Sequence, residues 1–203
     1  MYLGTYITPD VKRLYDLNYG PLVDSIIQDL KKWRGHTLTW FWRVNALKIN
    51  IIPRLIYVLH AIPITLPQSF FKQIRSALTT FVWGDKHPRL AYEMLRRPKG
   101  EGGVGLPDIG IYYRAMALVR IMNWCHDTDS KGWVQVEKTL AGRDLAGAPW
   151  IPVAYRGLSE YVSPLTKTTL TIWDRMNKTG RFAPPISPLT PLEGFPQGKK
   201  EGV

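Results

Sequence analysis

The sequence predicts a mainly α-helical bundle with one short N-terminal strand and a disordered C-terminal tail. Three observations predict it. Apolar residues recur at i, i+3, i+4 spacing in successive segments between Leu22 and Met176. A single stretch, Tyr2 to Thr8, reads as a strand, with no good partner strand after it. From Pro184 onward, prolines and glycines dominate.

Gly20-Pro21 is expected to open the first helix, with proline at the first helical position. Leu22, Val23, Ile26, Ile27, Leu30 and Trp33 give its apolar stripe, and Gly35 ends it. Thr39 caps the next helix, which buries Trp40, Phe41, Val44, Leu47 and Ile51 until Pro53 kinks or breaks it. Leu55–Leu59 is a second helical piece. Pro67 begins a third helix carrying Phe70, Phe71, Ile74, Leu78, Phe81 and Val82, and Gly84 stops it. Residues 85–107 read as a basic, glycine-rich loop. Pro107-Asp108 leads into a helix over Ile109–Trp124, Trp133–Leu140 forms a weaker one, and Ser163-Pro164 starts the last, Leu165–Met176. The predicted core is Leu22, Ile26, Leu30, Trp33, Val44, Leu47, Phe71, Ile74, Leu78 and Phe81.

Charge is unevenly spread. The 203 residues carry a formal net charge of +11. Residues 30–84 contain Lys31, Lys32, Arg34, Arg43, Lys48, Arg54, Lys72 and Arg75 and no acidic residue at all. Like charges repel, so a one-signed segment of that length suits a polyanionic partner. Nucleic acid is the first candidate and an anionic membrane the second. The longest uncharged apolar stretch, Leu55–Phe71, is interrupted by Pro63 and Pro67 and is short of the ~20 residues a span needs, so the chain is expected to be soluble. No signal peptide is expected after Met1. The one cysteine, Cys125, allows no internal disulfide.

Catalytic chemistry is poorly represented. A polymerase centre gathers two or three carboxylates around Mg²⁺. Asp127 and Asp129 form one Asp-x-Asp pair, in a context that suits a turn. His36, His60, His87 and His126 are scattered without metal-site spacing. Gly100–Gly105 is glycine-rich without the Lys-Ser/Thr of a phosphate loop. No cofactor, metal or small-molecule substrate is expected. Trp40, Phe41 and Trp42 beside Arg43 either stack at a duplex, or Trp40 and Phe41 are core while Trp42 packs on a neighbouring domain.

Several segments together resemble one family. Tyr2-Leu3-Gly4 resembles the primer grip of LINE-type (non-LTR retrotransposon) reverse transcriptases. Asp10-Val11-Lys12, Tyr19-Gly20-Pro21-Leu22 and Lys32-Trp33 are similar to the stretch that comes after the primer grip in that family. Trp40 to Lys48, Pro53 to Tyr57, Ala61 to Pro67, Phe70-Phe71 and Phe81-Val82-Trp83 resemble the family's thumb. Gly102 to Asp108, then Tyr112-Tyr113, resemble the loop and helix beyond it. The match covers residues 2–125 and is looser over 126–183.

The resemblance implies three parts, residues 1–8 a remnant palm strand, 9–84 the helical thumb and 85–183 a post-thumb helical region, and composition adds 184–203 as a disordered tail. It implies that the fingers and palm, with the catalytic aspartates, are not in this sequence, and that the chain is a non-catalytic fragment. The partner it implies is an RNA–DNA or RNA duplex, held by phosphate and sugar without sequence preference. The expected binding residues are Lys31, Lys32, Arg34, Arg43, Asn45, Lys48, Arg54, Lys72 and Arg75, with Tyr2, Leu3 and Gly4 as the primer grip. The alternative is a helical scaffold that binds protein partners and has no nucleic-acid role.

Overall fold

A computed structural model of the protein describes residues 4–8, 10–84, 86–126 and 131–178. The described chain is mainly helical and divides into two units, residues 1–118 and 119–203. The expected tail, and Asp127 and Asp129, lie outside the described residues, as do Tyr2 and Leu3.

In unit 1 no strand forms among residues 4–8: Gly4 turns at φ +79° and the rest is irregular, with an isolated bridge at Thr5. The reason is local. The Asn18 side chain takes the place of a neighbouring strand, accepting from the Tyr6 N–H at 2.8 Å and donating to the Tyr6 carbonyl at 2.9 Å. Both backbone groups of Tyr6 are satisfied without a ladder.

Helix α1 spans Gly20–Trp33, but Gly20-Pro21 does not open it. A π-helical turn, Tyr15–Tyr19, precedes it without a break. The same device recurs at Pro53. Helix α2 (Trp40–Ala46) passes through a π-turn, Leu47–Ile51, into α3 (Ile52–Ala61). Gly20 N–H bonds the carbonyl of Tyr15 and Ile52 N–H that of Leu47, five residues back rather than four. The wider turn makes room for the ring of the next residue, proline, and for the N–H it lacks. Pro53 therefore neither breaks nor ends this helix.

Thr39 caps α2 by accepting from Trp42 N–H, and α4 runs Gln68–Trp83 after Pro67. Of the expected core, Ile26, Leu30, Val44, Leu47, Ile74, Leu78 and Phe81 are buried, and Leu22, Trp33 and Phe71 are half-buried. Tyr19, fully buried, donates to the Ile62 carbonyl at 2.6 Å and meets Phe70 edge-on, tying the start of α1 to the end of α3. Phe41 departs from expectation. It is 42% exposed, because α2 turns Trp40 inward onto Trp83 instead, ring centroids 5.7 Å apart.

Residues 85–107 hold a helix that sequence periodicity is too short to reveal, α5, Tyr92–Arg96. The glycine-rich loop after it folds back on α5: Gly103 N–H bonds Pro98, Gly105 N–H bonds Arg97, and Leu106 N–H bonds Leu95. A Cβ on Gly103 would lie 2.1 Å from the Arg97 carbonyl oxygen, so only glycine fits. Asp108 caps the next helix, α6 (Ile109–His126), through Gly110 N–H at 2.7 Å, and pairs with Arg96 at 2.9 Å. Tyr113, in the first half of α6, bonds both Leu66 N–H and the Ile64 carbonyl, fixing the proline-rich connector.

Unit 2 holds the second half of α6, then α7 (Gly132–Ala141) and α8 (Pro164–Lys178). Glu137, buried on α7, accepts from Arg120 and from Trp124 Nε1. Arg156, 6% exposed, holds the irregular segment between α7 and α8: it grips Asp174 with both terminal nitrogens and donates from Nε to Ala148 and Ile151. Trp173 Nε1 donates to the Pro149 carbonyl at 2.7 Å.

Candidate nucleic-acid interface

The eight cations among the nine expected binding residues separate into two groups. Arg43, Lys48, Arg54 and Arg75 are engaged within the fold. Arg43 sits between α2 and the end of α4, donating from Nη1 to the Phe81 carbonyl at 2.9 Å and lying 5.5 Å over the Phe81 ring. The last carbonyls of a helix lack intrahelical donors, and Arg43 satisfies one of them. Gly84 ends α4 at φ +63°, with the Arg43 guanidinium 3.3 Å from where a Cβ would stand. Lys48, on the π-turn, reaches across to the glycine-rich loop and donates to the Val104 carbonyl. Burial lowers its pKa, and Lys99 nearby lowers it further.

Arg54 faces α1, donating to Asp29 at 2.7 Å and to Ser25 at 2.8 Å. Arg75 pairs with Glu93 at 3.2 Å and stacks over Tyr92 at 4.3 Å. That pair is exposed on both sides and weak, so Arg75 is readily exchanged onto another anion. These engagements were invisible in the sequence because each partner lies many residues away: Phe81, Val104, Asp29 and Glu93.

Lys31, Lys32, Arg34 and Lys72 form the second group. Lys31, Lys32 and Lys72 are exposed; Arg34 is half-buried at the end of α1. Lys32 lies 4.0 Å from Asp29 with its side chain 74% exposed, a loose i, i+3 pair. Asp29 is held more closely by Arg54. Lys31 and Lys32 therefore present two exposed cations at the last turn of α1, with Arg34 half-buried beside them. Asn45 is half-buried on α2. Gly4, expected as part of a primer grip, is exposed in its turn.

A groove of about 320 Å³ runs between α1 and α4. Ile27, Leu30, Lys31 and Arg34 line it from α1, and Gln73, Ser76, Ala77, Thr80 and Phe81 from α4. The α4 side was not singled out in the sequence. Its signal is a second helical stripe at residues 73, 76, 77 and 80, of small or polar uncharged side chains, beside the apolar one.

Along α2 and α3 the outward face is uncharged. Trp42 is 61% and Ile49 73% exposed, with Tyr57 further along at 47%.

Among the described residues no three His, Cys, Asp or Glu side chains gather as metal ligands would. Burial raises the Cys125 thiol pKa, with Asp144 adding to it against the pull of Lys138, so it is not a ready thiolate. Among the described residues no helix is long and apolar enough to cross a membrane. No protein-family model matches the chain.

Proposed function

We propose that the chain is a non-catalytic thumb module of a LINE-type reverse transcriptase that holds an RNA–DNA hybrid duplex through phosphate and sugar. The observation that carries this reading is the acid-free segment 30–84, whose cations cluster at the last turn of α1 and continue with Lys72 on α4. Phosphate contacts of this kind position a duplex without reading its sequence. The resemblance supports the reading, since its segments fall on α1–α4 and on the glycine-rich loop beyond them.

In this reading the contacts come from Lys31, Lys32 and Lys72. Arg43 and Lys48 build the platform, one fixing the end of α4 and the other the loop at Val104. Asn45, three residues after the exposed Trp42, offers an amide to a sugar hydroxyl. Titration of the purified chain with labelled hybrid duplex at several salt concentrations tests the proposal. Affinity that falls steeply with salt, alike for unrelated sequences, is expected. Equal retention by anionic vesicles, or no hybrid binding at low salt, overturns it. Template-dependent nucleotide incorporation by the chain alone overturns the non-catalytic part.

The uncharged stripe of Trp42, Ile49 and Tyr57 favours a second reading, a helical scaffold for protein partners with no nucleic-acid role. Absence of hybrid binding selects it.

A further inference from the structure

Helix α6 is apolar on both of its faces. Its inward face buries Ile109, Met116, Ile121 and Trp124. Its outward face is formed by Ile111, Tyr112, Ala115, Val119 and Met122, and among the described residues of α6 no charged side chain is exposed. Arg120 is turned onto Glu137, and Arg114 is half-buried at the edge of the outward face. Helices α1 and α8 do the opposite and expose charge, Asp24, Lys31 and Lys32 on one and Lys167, Arg175 and Lys178 on the other. A helix that is apolar all round is one that is covered all round. Within the outward face, Ile111, Ala115, half-buried Leu118 and Met122 are spaced four, three and four residues apart, as in the seam of a coiled coil.

We infer that the outward face of α6 is a self-association surface, on which a second copy of this chain docks antiparallel about a two-fold axis. The four-three-four spacing reads the same in either direction. Laid antiparallel, it sets Ile111 of each copy against Met122 of the other, and Ala115 of each against Leu118 of the other, in a single register. Ala115 stands next to the axis, where its small side chain lets the two helices approach closely. Each copy carries a net charge of +11, so two copies can meet only where charge is absent, as it is here. Ile111, Tyr112, Val119 and Met122 are each about half exposed. Along about 16 Å of helix they leave on the order of 400 Å² of apolar surface, the size of an interaction patch. Two copies would bury on the order of 800 Å² in all, which suits a transient pair and not an obligate dimer. The inference does not rest on the duplex-binding proposal, whose contacts include no residue of α6.

Sedimentation of the full chain over a series of concentrations tests the inference. A reversible monomer–dimer equilibrium is expected, with a dissociation constant on the order of 10 μM. Raising the salt concentration screens the repulsion between the two copies and is expected to strengthen the dimer. Ala115→Glu, at an exposed position, sets like charges beside the axis and is expected to weaken the dimer at least about tenfold, with circular dichroism confirming that the variant folds. Ile49→Glu, between α2 and α3, and Val136→Glu, on α7, replace exposed apolar residues elsewhere and are expected to leave the equilibrium unchanged. A chain that stays monomeric at about 100 μM in high salt overturns the inference. So does association that Ala115→Glu leaves intact, or that Ile49→Glu or Val136→Glu weakens equally, since any exposed apolar residue then accounts for it. Association that weakens as salt rises also overturns it, and so does growth beyond a dimer, which a closed two-fold contact forbids.

Discussion

Arg43 donates from Nη1 to the carbonyl oxygen of Phe81 at 2.9 Å, across 38 positions of sequence. A cation that sequence reasoning assigns to a phosphate thus closes the C-terminal end of α4. A hydrogen bond from a charged donor to a helix-terminal carbonyl is worth about 2 kcal/mol. Arg43→Ala is expected to lower unfolding stability by about that amount, measured by urea denaturation. Its hybrid affinity at a temperature where both proteins are folded is expected to stay within about twofold. A stability loss near zero with a large affinity loss reverses the assignment.

The helices were legible in the sequence because burial of one face writes its period into the chain, as in Ile26, Leu30, Ile74 and Leu78. Thr39 and Gly84 marked helix ends through local chemistry that needs no tertiary partner. The two prolines misled for the opposite reason. Pro21 and Pro53 sit inside helical runs, where a preceding π-turn absorbs them, and nothing in the local composition announces such a turn. At the site, charge and its asymmetry were legible, but side-chain direction was not. Lys48 and Arg54 are drawn to Val104 and Asp29 by tertiary placement that local spacing does not encode.

The Lys48 ammonium carries a pH signature. Its pKa lies below the ordinary 10.5, chiefly through burial and then through Lys99. The folded chain therefore gives up this proton at lower pH than the unfolded chain. Between the two values the unfolded state binds more protons, so stability rises with pH there. Below the folded value the cost of burying the charge is present in full. Lys48→Met removes this titration. Unfolding free energies of the two proteins, compared at steps of pH up to about 10.5, are expected to diverge in favour of the unsubstituted chain as pH rises. A difference that stays flat across the alkaline range contradicts the account.

Arg156 is the corresponding anchor of unit 2. Its guanidinium is buried, forked onto Asp174 and bonded through Nε to two carbonyls. Removing one partner of such a pair leaves the other charge without compensation, at about 3–5 kcal/mol. Arg156→Ala is expected to cost about that much, and Arg156→Lys most of it, because an ammonium cannot reproduce the planar fork. Hydrogen exchange of the α8 amides reads the effect. Protection in Arg156→Lys equal to that of the unsubstituted chain would show that the fork is dispensable.

In the proposed function, Lys31, Lys32 and Lys72 carry the duplex contacts while Arg43 and Lys48 hold the fold. That division is read most directly by the slope of log affinity against log salt for an RNA–DNA hybrid, taken for Lys31→Ala, Lys32→Ala, Lys72→Ala and Arg43→Ala. Lys167→Ala, at an exposed position of α8, is the control. Each phosphate contact contributes about 0.9 to the slope on a B-form DNA duplex, and we expect a loss of similar size here. The three lysine variants are expected to flatten the slope by about that amount each, for every sequence tried, with Arg43→Ala and Lys167→Ala leaving it unchanged. Slopes lowered equally by Lys167→Ala, or lowered by Arg43→Ala and not by the lysine variants, would contradict the proposal.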